Sequence, residues 1–149
     1  MSDSASPAHL RLENQICFAV HATAHAFAQA YKPLLAPLNL TYPQYLVMLL
    51  LWEKDDRSVS ELGAPLFLDS GTLSPLLKRL RAAGYVTRAP DPNDERVTRI
   101  ALTPAGAALR AKAEALPGGI WRAMGGVDLD HVASLRDQLK RLGGALRAS

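Results

Sequence analysis

The scarcity of some residue types and patterns in this sequence of 149 residues excludes several classes of protein. Cys17 is the single cysteine, so an internal disulfide is excluded and the chain is not a disulfide-stapled scaffold. The first ten residues, MSDSASPAHL, have no apolar core of the kind that a signal peptide needs. Residues 33–52 carry no charge, but Pro33, Pro37 and Pro43 interrupt them, so they cannot form one membrane span. We expect a soluble, cytoplasmic protein with no membrane partner.

Acidic residues are absent from one whole stretch, residues 70–90, which holds four cations. These cations are Lys78, Arg79, Arg81 and Arg88. A one-sided run of positive charge favours a polyanion as partner, and the net charge of +3 is compatible with nucleic-acid binding. Residues 53–57, EKDDR, mix both signs and are predicted to form a solvated loop. A hydrophobic content of 48% is sufficient for a packed core.

Two short helices in succession are predicted near the middle of the chain. A capping box S-x-x-E begins at Ser58, and Pro65 should end that first helix within about two turns. Asp69 is a good N-cap for the second helix, in which leucines recur at spacings of three and four. The leucines of this buried face are Leu73, Leu76, Leu77 and Leu80. Pro75 would remove a backbone hydrogen bond inside the helix, so a later start at Ser74 is an alternative.

The opposite face of the second helix carries hydroxyls near its start and cations further along. Hydroxyls suit base edges and phosphates, and cations suit phosphates. The candidate DNA-binding residues on this face are Ser70, Thr72, Ser74, Lys78 and Arg79. The helix pair is therefore predicted to be a helix-turn-helix that binds double-stranded DNA.

Two strands around a polar tip are predicted after the helix pair. The strands are residues 85–88 and 97–102, and residues 90–95 are rich in turn formers. Arg96 follows the tip, where a wing would place a guanidinium in a narrow minor groove, and Asp94 would orient it. The alternative for these residues alone is a solvated hairpin with a surface ion pair.

Helices are also predicted on both sides of this module. Residues 10–35 have helical periodicity, and a T-x-x-Q capping box opens an apolar core helix over residues 41–52. A third helix is predicted over residues 103–116, stopped by the Pro-Gly-Gly of residues 117–119. The last helix, about residues 129–146, carries an apolar packing stripe that its own chain leaves largely uncovered. This stripe consists of Leu129, Val132, Leu135, Leu139, Leu142 and Leu146.

The wing residues carry a resemblance to a known family. Asp94-Glu95-Arg96 followed by the LTPAG of residues 102–106 resembles the wing signature of the MarR family of bacterial repressors. The segments LENQICF, YKPLLAPLNLTYPQYL, LLLWE and LDSGTLSPLLKRL are similar to its branch of organic hydroperoxide resistance regulators. The resemblance is strong over residues 10–106 and weak in the C-terminal helices. It also favours the longer helix that continues through Pro75.

The resemblance implies a mainly α fold with a small β wing, in one domain over residues 1–149. The winged helix-turn-helix would span about residues 41–103, and dimerisation helices would span about 10–36 and 104–146. A two-fold dimer places its recognition helices about one turn of DNA apart, which predicts an inverted-repeat operator. No cofactor and no metal are expected, and the protein is predicted not to be an enzyme.

The inducer is predicted to act at Cys17. A cysteine near a helix N-terminus favours the thiolate, the form that peroxides attack, although a lone cysteine on an apolar helix is also often a buried small hydrophobe. In the resembled branch the reactive cysteine is hydrogen-bonded to two tyrosines, and Tyr31 and Tyr42 match those positions. Tyr31 lies about 21 Å from Cys17 along a helix, so the contact would come from a partner subunit. Tyr45, one turn after Tyr42, is predicted to be plain core.

The implied function is a repressor that releases its operator when an organic hydroperoxide oxidises Cys17 to a sulfenic acid. Because there is no second cysteine, the sulfenic acid would form a mixed disulfide with a low-molecular-weight thiol or over-oxidise. The expected target is a peroxidase gene that detoxifies organic hydroperoxides.

Three other functions are compatible with parts of the sequence. Cys17, His21 and His25 lie on one helix face at i, i+4 and i+8, so a metal sensor is an alternative, although only adjacent pairs could share an ion. A MarR relative that is induced by a small phenolic ligand would not need Cys17. A thiol peroxidase is less favoured, because no resolving cysteine and no nearby arginine accompany Cys17.

Overall fold

The computed structural model describes residues 6–149 and groups the chain into two compact units, up to residue 114 and from 115 to 149. Part of the stretch considered for a signal peptide, residues 1–5, lies outside the described residues. In chain order, the first unit contains α1 (Ile16–Leu35), α2 (Tyr42–Glu53), β1 (Arg57–Ser58), α3 (Val59–Leu66), α4 (Ser70–Ala82), β2 (Val86–Pro90), β3 (Thr98–Leu102) and α5 (Pro104–Ala113). The second unit contains α6 (Leu116–Ala123) and α7 (Leu129–Ala148). The single domain over residues 1–149 stays a prediction.

The first α-helix begins later than the periodicity predicted. Two short 3₁₀ turns, Ala8–Leu10 and Leu12–Asn14, occupy the residues before Ile16. The Asn14 side-chain amide donates to the Ala8 carbonyl over 2.8 Å, and that of Gln15 donates to the His9 carbonyl over 2.8 Å. Such local side-chain bonds compete with the α-helical pattern, which explains the later start. Pro33 lies inside α1 without ending it.

Helix α2 supplies the centre of the core, as predicted. Its capping box is present, because the Gln44 amide donates to Thr41 Oγ1 and the Gln44 side chain accepts from the Thr41 amide. Val47, Met48 and Leu51 are buried. Leu49 is partly exposed, so one side of α2 faces away from the core.

The predicted helix pair is present as α3 and α4. Ser58 accepts from the Glu61 amide, and α3 ends at Leu66, one residue after Pro65. Asp69 caps α4 by accepting from the Thr72 amide over 2.8 Å, and this bond lowers the pKa of the Asp69 carboxyl. The four predicted leucines are buried: Leu73, Leu76, Leu77 and Leu80.

Helix α4 continues through Pro75, so the longer helix is confirmed and the later start at Ser74 is wrong. The cap at Asp69 and the buried leucine face outweigh the one backbone hydrogen bond that proline removes. Gly84, with φ +84°, ends the helix, and the Tyr85 amide donates back to the Leu80 carbonyl.

The wing is a three-stranded antiparallel sheet with the order β1-β3-β2, where the sequence predicted two strands. The additional strand, β1, lies at the end of the predicted solvated loop and pairs Arg57 with Ile100. Asp55 holds this loop against the sheet, because its Oδ1 accepts from the Leu102 amide over 2.8 Å. Pro90, predicted in the turn, is the last residue of β2 and pairs with Thr98.

The Pro-Gly-Gly of residues 117–119 does not stop a helix, so this prediction is wrong. Helix α5 has already ended at Ala113, and Pro117 lies in the first turn of α6, where its missing amide hydrogen is not needed. Gly118 and Gly119, which have low helix propensity, both lie inside this short helix. Gly125 and Gly126, both with positive φ, form the turn before α7.

Helix α7 has no buried residue, and its leucine stripe is exposed as the sequence predicted. The exposed members are Leu129, Leu135, Leu139, Leu142 and Leu146. Within residues 6–149, no single helix is long and apolar enough to cross a membrane; one pair bent by 65°, Ile16–Leu38 with Tyr42–Glu53, passes on length and composition alone.

Candidate nucleic-acid interface and tyrosine cluster

The exposed face of α4 presents all five residues that the sequence proposed for DNA. They are Ser70, Thr72, Ser74, Lys78 and Arg79, and each is exposed. Ser74 Oγ donates to the Ser70 carbonyl over 2.7 Å, which is a local helix bond. In the described part of the chain, Lys78 and Arg79 form no ion pair, so both charges are available to an external anion.

Asp94 and Arg96 are paired at the end of the wing, which is compatible both with the predicted minor-groove role and with the alternative of a surface ion pair. Arg96 Nε donates to Asp94 Oδ1 over 3.0 Å and Nη2 donates to Oδ2 over 3.2 Å. The side-chain bond from Arg96 lowers the pKa of the Asp94 carboxyl, and the Arg96 backbone amide adds to this effect. The Arg96 side chain is nevertheless 91% exposed, so its outer edge remains open to a ligand.

A cleft of about 600 Å³ lies between α3, the start of α4 and the wing. Its lining includes Ser70 and Ser74 from α4 and Arg88 and Arg96 from the wing. Hydroxyls and cations from separate elements therefore face one hollow. The sequence had identified Arg88 only as part of the basic run, because its place beside the α4 hydroxyls depends on the fold.

Arg99 on β3 is a further cation near the wing, and it was not identified from the sequence as a functional residue. Its Nε donates to Asp56 Oδ1 over 2.9 Å, and its Nη1 donates to Asp91 Oδ2 over 3.3 Å. Glu61 of α3 lies 3.8 Å from the same Nη1. The only sequence signal for this cluster is the acidic pair in the EKDDR run, which is 43 residues away from Arg99.

Tyr31, Tyr42 and Tyr45 form one aromatic cluster between α1 and α2. The ring centroids of Tyr31 and Tyr42 are 4.7 Å apart, and Tyr45 lies 5.7 Å from Tyr31 and 6.4 Å from Tyr42. Trp52 extends the cluster, with its ring 6.4 Å from that of Tyr45. Tyr45 is buried as predicted, but it also belongs to this cluster.

The phenols of this cluster resist ionisation. Burial, together with the neighbouring Tyr45 and Tyr42, raises the pKa of Tyr31 to about 12. Burial also raises the pKa values of Tyr42 and Tyr45. All three side chains are therefore neutral near pH 7 and can act as hydrogen-bond donors.

Cys17 is the second residue of α1 and is exposed in the chain, so the alternative of a buried small hydrophobe is wrong for the single chain. Fourteen helical residues separate it from Tyr31, or about 21 Å. The structure thus brings Tyr31 and Tyr42 together but does not bring either to Cys17 of the same chain. Among residues 6–149, no three His, Cys, Asp or Glu side chains are grouped so that they could hold a metal ion.

Known proteins are similar to this chain in both sequence and fold. The family model of the transcriptional regulators SarA and Rot matches residues 29–112. The regulator TtmR of Methylorubrum extorquens (strain PA1) is 52% identical over 144 residues, covering 90% of this chain and 72% of TtmR. The organic hydroperoxide resistance transcriptional regulator of Bacillus subtilis (strain 168) is 50% identical over 112 residues, covering 75% of this chain and 76% of the relative.

Solved structures of AbfR, a protein of Staphylococcus epidermidis, also match. Crystal structures of its overoxidised and reduced forms, both bound to DNA, are each 34% identical to this chain with a TM-score of 0.76. Each covers 93% of this chain, and the aligned regions are 96% and 95% of the two AbfR chains.

The winged-helix fold, the exposed basic face of α4 and these relatives define a DNA-binding transcriptional regulator. The chain belongs to the MarR family and, within it, to the branch of the organic hydroperoxide resistance regulators. The relatives are regulators and not enzymes, in agreement with the sequence prediction.

Proposed function

We propose that this regulator is a homodimeric repressor that binds an inverted-repeat operator and releases it when an organic hydroperoxide oxidises Cys17. The observation that carries the proposal is the tyrosine cluster. Tyr31 and Tyr42 present neutral phenols in contact with each other, while the exposed Cys17 is far from them along α1. In a two-fold dimer, the phenols of one subunit would donate to the Cys17 thiolate of the other.

The proposed DNA contacts follow from the exposed face of α4 and the wing. Ser70, Thr72 and Ser74 would contact base edges and phosphates in the major groove, with Lys78 and Arg79 on phosphates. Arg96 would enter the adjacent minor groove, oriented by Asp94. The exposure of Arg96 and the bidentate pair behind it support this role. Because its proposed ligand is operator DNA, the regulator is proposed to act in the cytoplasm.

The dimer is proposed to form through the apolar residues that the chain leaves exposed. On α1 these include Ile16, Phe18 and Val20, and on α7 they include the leucine stripe. The α7 stripe repeats at spacings of three and four, and large apolar side chains repeated along one helix face are typical of an interface.

The sensing chemistry needs only Cys17, the peroxide and a small thiol. The thiolate sulfur attacks the terminal oxygen of the hydroperoxide, the O–O bond breaks, and the leaving alkoxide takes up a proton to become an alcohol. The resulting sulfenic acid condenses with a low-molecular-weight thiol, which forms an S–S bond and releases water. With one cysteine in the chain, no disulfide within the subunit can replace this step.

We assign operator release to the mixed disulfide rather than to over-oxidation. The adduct is bulky and would displace the phenols of Tyr31 and Tyr42, which shifts the dimer away from the spacing that fits the operator. An overoxidised AbfR has been crystallised bound to DNA, and this supports the assignment by similarity.

DNA binding by the full-length protein tests the proposal. A duplex from the region upstream of its own gene is titrated with native protein and with Cys17→Ser, after exposure to an organic hydroperoxide with or without a small thiol. We expect release only of the native protein and only when peroxide and thiol are both present. Release of Cys17→Ser by the same treatment, or tight binding of a native protein that carries the adduct, would contradict the mechanism.

A further inference from the structure

The wing hairpin joins the rest of its unit through the buried Val86 and Ile100, through the short strand β1 and through polar bonds at its base. Strands β2 and β3 pair over five residues each, whereas β1 adds only two pairs, Arg57 with Ile100 and Ser58 with Arg99. A two-stranded hairpin is only marginally stable by itself, and its direction depends on what it packs against. The polar side chains that join the hairpin to the helices therefore influence where the wing points.

Arg99 makes this connection with one guanidinium. It binds Asp56 before β1, through the carboxylate and also the backbone carbonyl, and lies 3.8 Å from Glu61 in the first turn of α3. It also binds Asp91, the first residue after β2, at the base of the wing tip. One side chain thus links the loop before β1, the first helix of the helix-turn-helix and the wing.

One pair of this cluster, Arg99 with Asp91, is better shielded from solvent than an ordinary surface pair, whereas the Asp56 and Glu61 side chains are 62% and 46% exposed. The Arg99 side chain is 25% exposed and that of Asp91 is 17% exposed, so solvent screens their attraction less. Asp91 is further held by accepting from the Asn93 amide over 2.8 Å. The planar guanidinium with several donors is suited to three acceptors in different directions, which a lysine ammonium would not match.

We infer that Arg99 is a positioning residue for DNA binding: it sets the direction of the wing relative to α3 and α4, so that Arg96 and the α4 face engage one duplex together. Arg99 itself does not touch the DNA. The inference rests on the proposed minor-groove contact of Arg96, and the two can fail separately.

A double-mutant cycle tests the inference. The affinity of the full-length dimer for the duplex upstream of its own gene is measured at several salt concentrations for the native protein, Arg96→Ala, Arg99→Leu and the double variant. Arg99→Leu should weaken binding about tenfold and reduce the salt slope by about 1, as loss of the Arg96 contact does. In the Arg96→Ala background, Arg99→Leu should change the affinity less than about twofold, because the contact that it positions is already gone.

Arg57→Leu is the matched control, because it removes the same charge from β1 and, within residues 6–149, the Arg57 side chain bonds to the Lys54 carbonyl and Glu53 rather than to the wing. It should leave the affinity within about twofold of native. If Arg99→Leu does not fold, Asp91→Asn removes the carboxylate charge from the Arg99 pair at the wing alone and should show the same dependence on Arg96. Arg99→Lys should restore the affinity only in part.

The outcomes separate the two ideas. Native affinity and a native salt slope for Arg96→Ala would show that Arg96 does not contact the minor groove, and the inference would lose its basis. A loss from Arg99→Leu that is equal in both backgrounds would show general repulsion by the uncovered carboxylates or loss of fold, and would overturn the positioning role. No loss from Arg99→Leu would also overturn it.

Discussion

At the scale of single residues, the proposed sensing depends on tyrosine phenols that keep their protons. A thiolate is stabilised by donors, and a phenol donates only while it is protonated. Burial and the adjacent phenols raise the pKa of Tyr31 to about 12, so its proton is retained throughout the neutral pH range. In the proposed dimer, these phenols would donate to the Cys17 thiolate of the partner subunit.

The raised pKa of Tyr31 predicts a specific alkaline instability. The folded state holds the Tyr31 proton up to about pH 12, whereas the unfolded chain releases it near the ordinary value of 10.0. The contribution is present in full below pH 10 and is lost as the pH rises from about 10 through about 12. Denaturant titrations at pH 9 to 12 should show a smaller loss of stability for Tyr31→Phe than for the native protein. Parallel losses in the two proteins would refute the assignment.

At the scale of elements, the backbone just before β2 and the start of α5 approach each other closely. The Thr103 amide donates to the Tyr85 carbonyl, and Thr103 Oγ1 accepts from the Gly106 amide. Trp52 Nε1 donates to the Gly106 carbonyl over 3.0 Å. A Cβ at Gly106 would lie 2.1 Å from the Tyr85 carbonyl oxygen, so this last position of the LTPAG segment requires glycine for close approach.

Gly106→Ala should destabilise the protein by about 1–3 kcal/mol or more, because a backbone oxygen has to move and the bonds around it weaken. Urea denaturation followed by circular dichroism measures the change. Gly118→Ala is the control, since its Cβ would lie 3.7 Å from the flexible end of the Arg122 side chain, an ordinary van der Waals distance. It should be neutral or stabilising by about 0.5–1 kcal/mol. Equal stability of the two variants would show that the junction is less rigid than its contacts indicate.

At the scale of the whole molecule, the leucine stripe of α7 is the feature that a single chain does not explain. The stripe has the spacing of a packing face, yet Leu135, Leu139 and Leu142 are all exposed. The proposed dimer would bury them, together with apolar residues of α1, and would provide the two recognition helices that an inverted repeat requires.

Leu139→Asp should therefore weaken the dimer and the binding of DNA together. A charge placed in an apolar interface has no partner, and a monomer loses the gain from occupying two half-sites. Sedimentation velocity should show a shift from dimer to monomer, with at least about a tenfold loss of operator affinity. Gln138→Asp adds the same charge one residue away from the stripe and should leave both unchanged. A Leu139→Asp protein that remains dimeric would exclude this helix face as the interface.

The features that the sequence by itself determined are those that depend on neighbouring residues. The caps at Thr41, Ser58 and Asp69 satisfy amides three residues away, and Asp94 and Arg96 are close enough in the chain to pair without help from the fold. The α4 leucines recur with the helical period. The family was identified from the resemblance of short sequence segments. Local preference failed at Pro117, where a residue that usually ends a helix instead lies in the first turn of one.

Only the tertiary structure decided what depends on residues distant in the chain. Strand β1 has two residues and no periodicity, and it exists because Asp55 and the edge of β3 hold it in place. Tyr31 and Tyr45 come together because α1 and α2 pack against each other, and Arg99 meets Asp56 across 43 residues. The energies of such contacts are set by burial and by the approach of separate elements, and no local pattern of residues encodes either.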